Sequence, residues 1–336
     1  MATPTPVPAA APRRGRPALA DLERELDLHR TALTGYCYRM LGSPFDAEDA
    51  VQETMVRAWR ALDRFEGRAA LRTWLFGIAT NVCIDMINAG RRRALPMDLA
   101  SPASATTPAG DRRPEALWVG PALDDRVGVD AADPAEATVA RDSVRVAFVA
   151  ALQHLPARQR AVLILRDVLR WRADEVAALL DMTTTAVHSM LRRARSALAD
   201  AHAGRTVPLV PPEQARAVVE RYVEAFERLD MDLLVRLLRD DATLDMPPYL
   251  LWLDGPEAIA GWFREHLEPC HDHVYRPLAV NGTPGLAMYR PASPGAVPEA
   301  FGVQVMEVAE GGVVAVHAFL EPALFPLFGL PTTAPR

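Results

Sequence analysis

Two separated sets of side chains have the types and spacing for work on nucleic acid. In the first, Thr184, Thr185, His188, Ser189, Arg192 and Arg193 fall on one side of a helical repeat, opposite Val187, Leu191, Ala194 and Leu198. Small hydroxyls near a helix start can approach base edges, and arginines further along can hold phosphates. A solvated arginine face on an ordinary bundle helix has the same pattern. In the second set, Arg91, Arg92 and Arg93 follow a helical stretch in which Asn81 and Asp85 share a face. Arginines there are also favoured by the helix dipole alone. Just upstream, the loop Phe65-Glu66-Gly67-Arg68 lies near Trp74. Aromatics beside arginines suit unstacked bases, which offer a π-face and a phosphate charge, although core packing uses the same rings. A third cluster, Asp49, Gln52 and Glu53, sits at i, i+3 and i+4. Capping and solvation account for acids in a first helical turn, but not for a polar group gathered on one side.

Helical elements must position these groups. Residues 46–62 bury Ala47, Val51, Met55 or Thr54, Ala58 and Leu62 at three- and four-residue steps, and Ser43-Pro44 supplies a start signal. Residues 71–88 carry the stripe Leu71, Leu75, Ile78, Val82 and Met86. Pro156 suits the first position of the next helical block. A short helix over 173–180, a turn at Asp181-Met182-Thr183 and a longer helix then form a helix-turn-helix by length and pattern. Residues 1–20 read as a disordered tail, 21–95 as one helical domain and 139–203 as a second. Between these domains, 96–138 lacks any period and carries eight acids, so it reads as a linker, as does the short stretch 204–212.

The 336 residues allow two or three domains, and no window has the apolar length of a membrane span. Cys37, Cys83 and Cys270 are far apart, and the N-terminus has no apolar core of a signal peptide, so a cytoplasmic protein is expected. The net charge of −6 conceals an asymmetry. Residues 207–336 carry 9 Arg and 18 acids, whereas 57–93 carry 8 Arg and 3 acids, and 141–205 carry 11 Arg and 6 acids. Two basic stretches are therefore masked by an acidic remainder.

The pair DAEDAVQETMVRAWRALDRFEGRAALRTWLFGIATNVCIDMINAGRRR and LPARQRAVLILRDVLRWRADEVAALLDMTTTAVHSMLRRARSALA resembles the extracytoplasmic-function (ECF) RNA polymerase sigma factors, the first block matching sigma region 2 and the second region 4. The resemblance implies that Asp49, Gln52 and Glu53 dock on the clamp helices of the largest polymerase subunit. It implies that Phe65, Glu66, Gly67, Arg68 and Asn81 capture a flipped minus-ten base, with Arg91, Arg92 and Arg93 near the promoter backbone and Trp74 supporting from within. It places Thr184, Thr185, His188, Ser189, Arg192 and Arg193 in the minus-thirty-five major groove. Core RNA polymerase, including the flap of its second-largest subunit, and promoter DNA are the implied partners. The linker would thread toward the RNA exit path. The sequence departs from the family at Arg68, where an acid is common, at Leu71, where an aromatic is common, and at His188 and Met190, where Lys and Arg are common. Promoter sequence therefore does not transfer.

Residues 213–330 extend beyond an ordinary member of that group. They read as helices over 213–229, 230–238 and 255–267, with Val218, Tyr222, Ala225, Phe226 and Leu229 inward in the first. Strands are expected at 241–246, 273–280, 284–290, 300–308 and 312–320. Helices followed by a curved antiparallel sheet indicate α+β. The pattern resembles the SnoaL-like cone of nuclear transport factor 2 and ketosteroid isomerase. The expected fold class is thus multidomain: two all-α sigma domains followed by an α+β cone-shaped SnoaL-like domain. In that cone Asp245 has the chemistry of a general base, and Trp252, Trp262 and Phe263 are candidate pocket walls. His271-Asp272-His273 has metal-ligand spacing. Structural readings of all these residues compete, and fusion to two promoter-reading modules favours regulation over catalysis. No catalytic residue, metal or cofactor is expected. An anti-sigma factor or a small ligand at the C-terminal domain is left open. A repressor with a ligand-binding domain, and a SnoaL-like enzyme with an accessory DNA module, are the alternatives.

Overall fold

The computed structural model describes residues 19–62, 70–90, 92–129, 134–202, 208–266 and 273–334. Phe65, Glu66, Gly67, Arg68, Arg91, His271, Asp272 and all of the expected tail before residue 19 lie outside the described residues.

Helix α1 (Leu19–Leu41) ends at Gly42, which takes φ +74° and donates its N–H to the Tyr38 carbonyl at 2.7 Å. Ser43 then caps α2 (Pro44–Ala61) by accepting the Asp46 N–H at 3.3 Å, with Pro44 in the first turn. Helix α3 (Leu71–Ala89) completes a three-helix module. Ala47, Ala50, Val51, Thr54 and Ala58 are buried on α2, close to the expected stripe. The Tyr36 hydroxyl is held at 2.7 Å from Thr80 Oγ1 inside the core.

The stretch expected to be a slack tether is packed instead. It contains 3-10 turns at Pro96–Asp98 and Glu115–Leu117 and a short helix α4 (Asp124–Val127), and it buries Trp118, Val119 and Ala122. The next helix, α5 (Pro134–Asp142), begins within the span assigned to the linker. Helices α6 (Val146–Leu152), α7 (Ala157–Leu163, prolonged by a π-turn at Ile164–Val168), α8 (Ala173–Leu179) and α9 (Thr184–His202) form the second module. Pro156 precedes α7 as its cap residue rather than opening it. Asp181 takes φ +50° in the turn, and Thr183 Oγ1 accepts the Ala186 N–H at 3.2 Å to start α9.

In the C-terminal domain α10 (Pro212–Glu227) and α11 (Met231–Leu237) precede strands β1 (Leu238–Asp245) and β2 (Trp252–Asp254). Helix α12 (Pro256–His266) leads to β3 (Val274–Val280), β4 (Thr283–Arg290), β5 (Glu299–Ala309) and β6 (Gly312–Phe319), and α13 (Leu324–Phe328) follows. The sheet order is β2-β1-β6-β5-β4-β3. The expectation of a wholly antiparallel sheet fails at one place, because β1 and β6 run parallel. Leu229, expected inward, lies past the end of α10 with φ +53° and is exposed. Strand β2 and helix α13 had no counterpart in the expected elements.

Strand alternation divides the core in two. Leu244, Leu286, Met306, Val308, Val316 and Ala318 face α10, α11 and α12. On the opposite sheet face Ala287, Tyr289, Val303, Val305 and Phe319 join one continuous apolar cluster with both helical modules and α13. The three parts therefore share a core.

Candidate nucleic-acid interface

Helix α9 buries Val187, Leu191 and Ala194 and half-buries Leu198. Its opposite face leaves Thr184, Thr185, His188, Arg192 and Arg193 exposed and Ser189 half-buried. These six expected residues are brought together on one helix face, and none of the arginines among them has an ion-pair partner among the described residues. Arg195, at the margin, is bound to Asp167 at 2.7 and 2.8 Å.

On α2, Asp49 and Gln52 are exposed and Glu53 is half-buried, with Glu53 accepting from Arg57 Nε at 2.7 Å. The same stripe continues through Val56 and Trp59, which remain 41% and 58% exposed. An apolar pair left in water beside a polar cluster marks a contact surface. Sequence reasoning missed these two, although their spacing from Asp49, seven and ten residues, was readable as the same face. Asn81 is exposed on α3, and Asp85, one turn away, reaches Arg57 at 3.4 Å. Trp74 is half-buried against the core, in keeping with a supporting position.

The three arginines after α3 separate in role. Arg92 is exposed and within 3.3 Å of His154. Arg93 is 5% exposed and bonds Asp46 Oδ2 at 2.7 Å, Glu115 Oε1 at 3.0 Å and the Trp118 carbonyl at 2.7 Å. The expectation that Arg93 lies near the promoter backbone is corrected. Its guanidinium is consumed in tying the start of α2 to the linker, and it has no free donor face to offer a phosphate.

The two helical modules pack face to face. Phe76 on α3 meets Trp171 at 5.2 Å between ring centroids, with the Arg72 guanidinium over both rings. Arg39 donates to Ser143 Oγ at 3.0 and 2.8 Å. Arg160 bonds the Met40 carbonyl and, at 2.6 Å, Gln153 Oε1. Burial lowers the pKa of both Arg39 and Arg160 to about 10, so each remains charged at neutral pH.

The C-terminal domain closes this pair through its β3–β4 hairpin. Asn281-Gly282 forms the turn, with φ +53° and +72°, the left-handed pair that a tight hairpin requires. Asn281 is fully buried. Its Nδ2 donates to Tyr38 Oη and to the Val144 carbonyl, both at 2.6 Å, and its Oδ1 accepts the Ala122 N–H at 3.0 Å. One amide thus joins the first module, the linker and the second module. A Cβ on Gly282 would lie 2.7 Å from the Arg141 carbonyl oxygen. Beside this contact, Arg145 and Glu307 form a buried ion pair across the junction at 2.7 Å, their side chains 9% and 5% exposed.

The cone expectations are corrected in two respects. Asp245 does not face the apolar interior. Leu244 does, and Asp245 points to the opposite sheet face, where its Oδ2 is 2.6 Å from His317 Nδ1. Trp252 and Trp262 do not wall an open pocket. Their indole N–H groups donate to the linker carbonyls of Ala100 and Thr107, each at 2.8 Å. Phe263 is buried edge-on against Trp262 and Phe226. Burial opposes the charged form of His317, yet the Asp245 carboxylate prevails, with Glu307 assisting, and raises its pKa above the ordinary histidine value. A raised native pKa stabilises the fold below the unfolded value of about 6.5, and that contribution is lost as pH rises through the native pKa. Asp245→Asn removes the stabilising carboxylate. NMR titration of the His317 ring should accordingly show a fall in pKa, and no fall would dissociate the pair. His273 behaves oppositely, its pKa lowered to about 4 by burial and then by Arg290.

Comparison with known proteins agrees with this layout. Residues 26–93 match Sigma-70 region 2, 145–198 match Sigma-70 region 4, and 219–317 match a SnoaL-like domain. The chain is 43% identical over 317 residues to the ECF RNA polymerase sigma factor SigG of Mycobacterium tuberculosis, covering 93% of this chain and 84% of the relative. It is 29% identical over 219 residues to SigJ of the same species, covering 65% and 62%. The crystal structure of that SigJ aligns over 92% of this chain and 99% of its own, with a TM-score of 0.57 and 23% identity, so the fold extends through the C-terminal domain. The chain belongs to the ECF RNA polymerase sigma factors. Among the described residues, no helix is long and apolar enough to cross a membrane, and no three His, Cys, Asp or Glu are grouped to hold a metal ion.

Proposed function

We propose that this chain is a cytoplasmic initiation factor that directs core RNA polymerase to two-part promoters and has no catalytic step of its own. The α2 face, Asp49, Gln52 and Glu53 extended by Val56 and Trp59, docks on the polymerase. Asn81 and Arg92 serve the minus-ten element, and the exposed face of α9 reads the minus-thirty-five element. The observation that carries this reading is the α9 face, on which hydroxyls and unpaired arginines stand in water in the order that base edges and phosphates require. Asp245, turned away from the cone interior, supports the absence of catalysis.

The C-terminal domain regulates by fixing where the two helical modules sit. The two promoter elements are about 25 base pairs apart, or about 85 Å of duplex. A compact chain of 336 residues has a radius of gyration of about 20 Å, so modules packed through Phe76, Trp171 and Arg39 fall short of that distance, and the packed arrangement is the resting form.

Co-purification with core polymerase and run-off transcription test the reading. Reversing charge with Asp49→Arg and Glu53→Arg should abolish polymerase retention. Arg192→Ala should weaken promoter binding across sequences and reduce the log–log salt slope by roughly one. Retention unchanged by the double reversal would overturn the reading.

A further inference from the structure

The linker does not merely pass the C-terminal domain; it is bound there. Residues 100–113 run along the domain in two stretches joined by a turn, in which the Thr107 N–H bonds the Ser104 carbonyl at 3.0 Å; Ala103, Ala105, Thr107 and Ala109 are half-buried, and Ser104, Thr106, Pro108 and Gly110 are exposed. Ala103 and Ala109 pack against the apolar cluster of the cone. The contacts are those of a peptide in a groove. Trp252 and Trp262 hold the carbonyls of Ala100 and Thr107 with their indole donors. Ala103 N–H bonds the Trp252 carbonyl at 2.8 Å, on the outermost strand of the sheet, and Arg113 N–H bonds the Pro248 carbonyl at 2.8 Å. Arg112 anchors the far end on the Leu320 carbonyl and Glu321, each at 3.1 Å.

Main-chain bonds supply hold, and shape supplies selection. The position facing Ala105 is Gly261, where an added Cβ would lie 3.1 Å from the Ala105 side chain. Glycine inside a helix is destabilising relative to alanine. Gly261 lies within α12, where the helix itself gains nothing from it, and the missing side chain is the space through which the linker runs.

We propose that the groove formed by Trp252, Gly261 and Trp262 is a peptide-binding site whose occupant is this chain's own segment 100–113, and that polymerase binding requires the segment to leave it. The proposal rests on the sigma reading above and adds a particular latch to it. Fourteen residues withdrawn from the groove supply roughly 45–50 Å of reach, which the two modules need to part. A segment of small residues with one tight turn, as at Ser104–Thr107, is the ligand class that the groove accepts.

Gly261→Leu in the full-length chain tests this. The substitution favours the helix and fills the space of Ala105, so it displaces the linker without removing a core side chain. Hydrogen exchange should show the Ala103 and Arg113 amides losing protection while β5 and α9 keep theirs. Bacterial core polymerase should bind the variant about tenfold more tightly, because the resting form is no longer favoured. Trp262→Phe, which keeps a ring and deletes the donor, should move both readouts in the same direction by less. Continued protection of the two amides in Gly261→Leu overturns the groove assignment. Lost protection with unchanged polymerase affinity overturns the latch and leaves the sigma reading standing. Failure of both wild type and variant to bind polymerase is instead failure of that reading, and it takes the latch with it.

Discussion

Asn281→Ala should destabilise the chain by about 3–5 kcal/mol in urea unfolding, since it breaks three buried hydrogen bonds at once. The Val144 carbonyl loses its donor and the Ala122 N–H its acceptor, both in the buried junction, while the Tyr38 hydroxyl loses a donor and keeps its own bond to the Gly120 carbonyl at 2.9 Å. Alanine also tolerates the left-handed backbone at 281 less well than asparagine does. Asn281→Gly separates the two effects, because glycine keeps the backbone and removes the amide. If Asn281→Gly costs under about 1 kcal/mol, the hydrogen bonds do not hold the junction. A larger cost, accompanied by a rise in radius of gyration by X-ray scattering, places the closure in that one side chain.

The second large effect is expected at Arg145 and Glu307. Removing one partner of a buried ion pair strands the other charge, at a cost of about 3–5 kcal/mol, whereas replacing both with apolar residues is often neutral. Arg145→Met and Glu307→Met should each lower the unfolding midpoint sharply, and the double variant should recover most of the loss. Additive losses would mean that the two side chains act independently. The double variant also asks whether the charges direct the docking of the C-terminal domain or only tolerate it.

Much of the architecture was legible in the sequence because it rests on period. The stripes of α2 and α9, the turn before α9, and five of the six strands follow from spacing that burial enforces locally, whereas on α3 only Leu75 and Val82 of the expected stripe are fully buried, beside Phe76, Ala79, Thr80 and Cys83. The exposed α9 face was legible for the same reason. What was hidden depends on partners distant in the chain. Nothing near Arg93 distinguishes it from Arg92, and only Asp46 and Glu115, brought in by folding, turn one into a structural clamp. The linker carried no helical period, yet it was not slack, because its short turns are held by partners distant in the chain and it has few large residues with which to announce them. Asp245 was placed inside the cone from its fold class, but alternation from Leu244 puts it on the other face. Asn281-Gly282 was readable as a hairpin turn, but its three partners lie 137 to 243 residues away.

The hairpin tip that closes the junction is also made late. Synthesis proceeds from the N-terminus at about 5–20 residues per second, and domains fold as units as they emerge. The two sigma modules are complete at His202, 79 residues before Asn281 is added, an interval of about 4–16 seconds on that scale. During it the nascent chain carries both modules without the side chain that joins them. Each new molecule therefore passes once through a state in which the two modules have only their direct contacts, through Phe76, Trp171 and Arg39, and not yet the amide that bridges them.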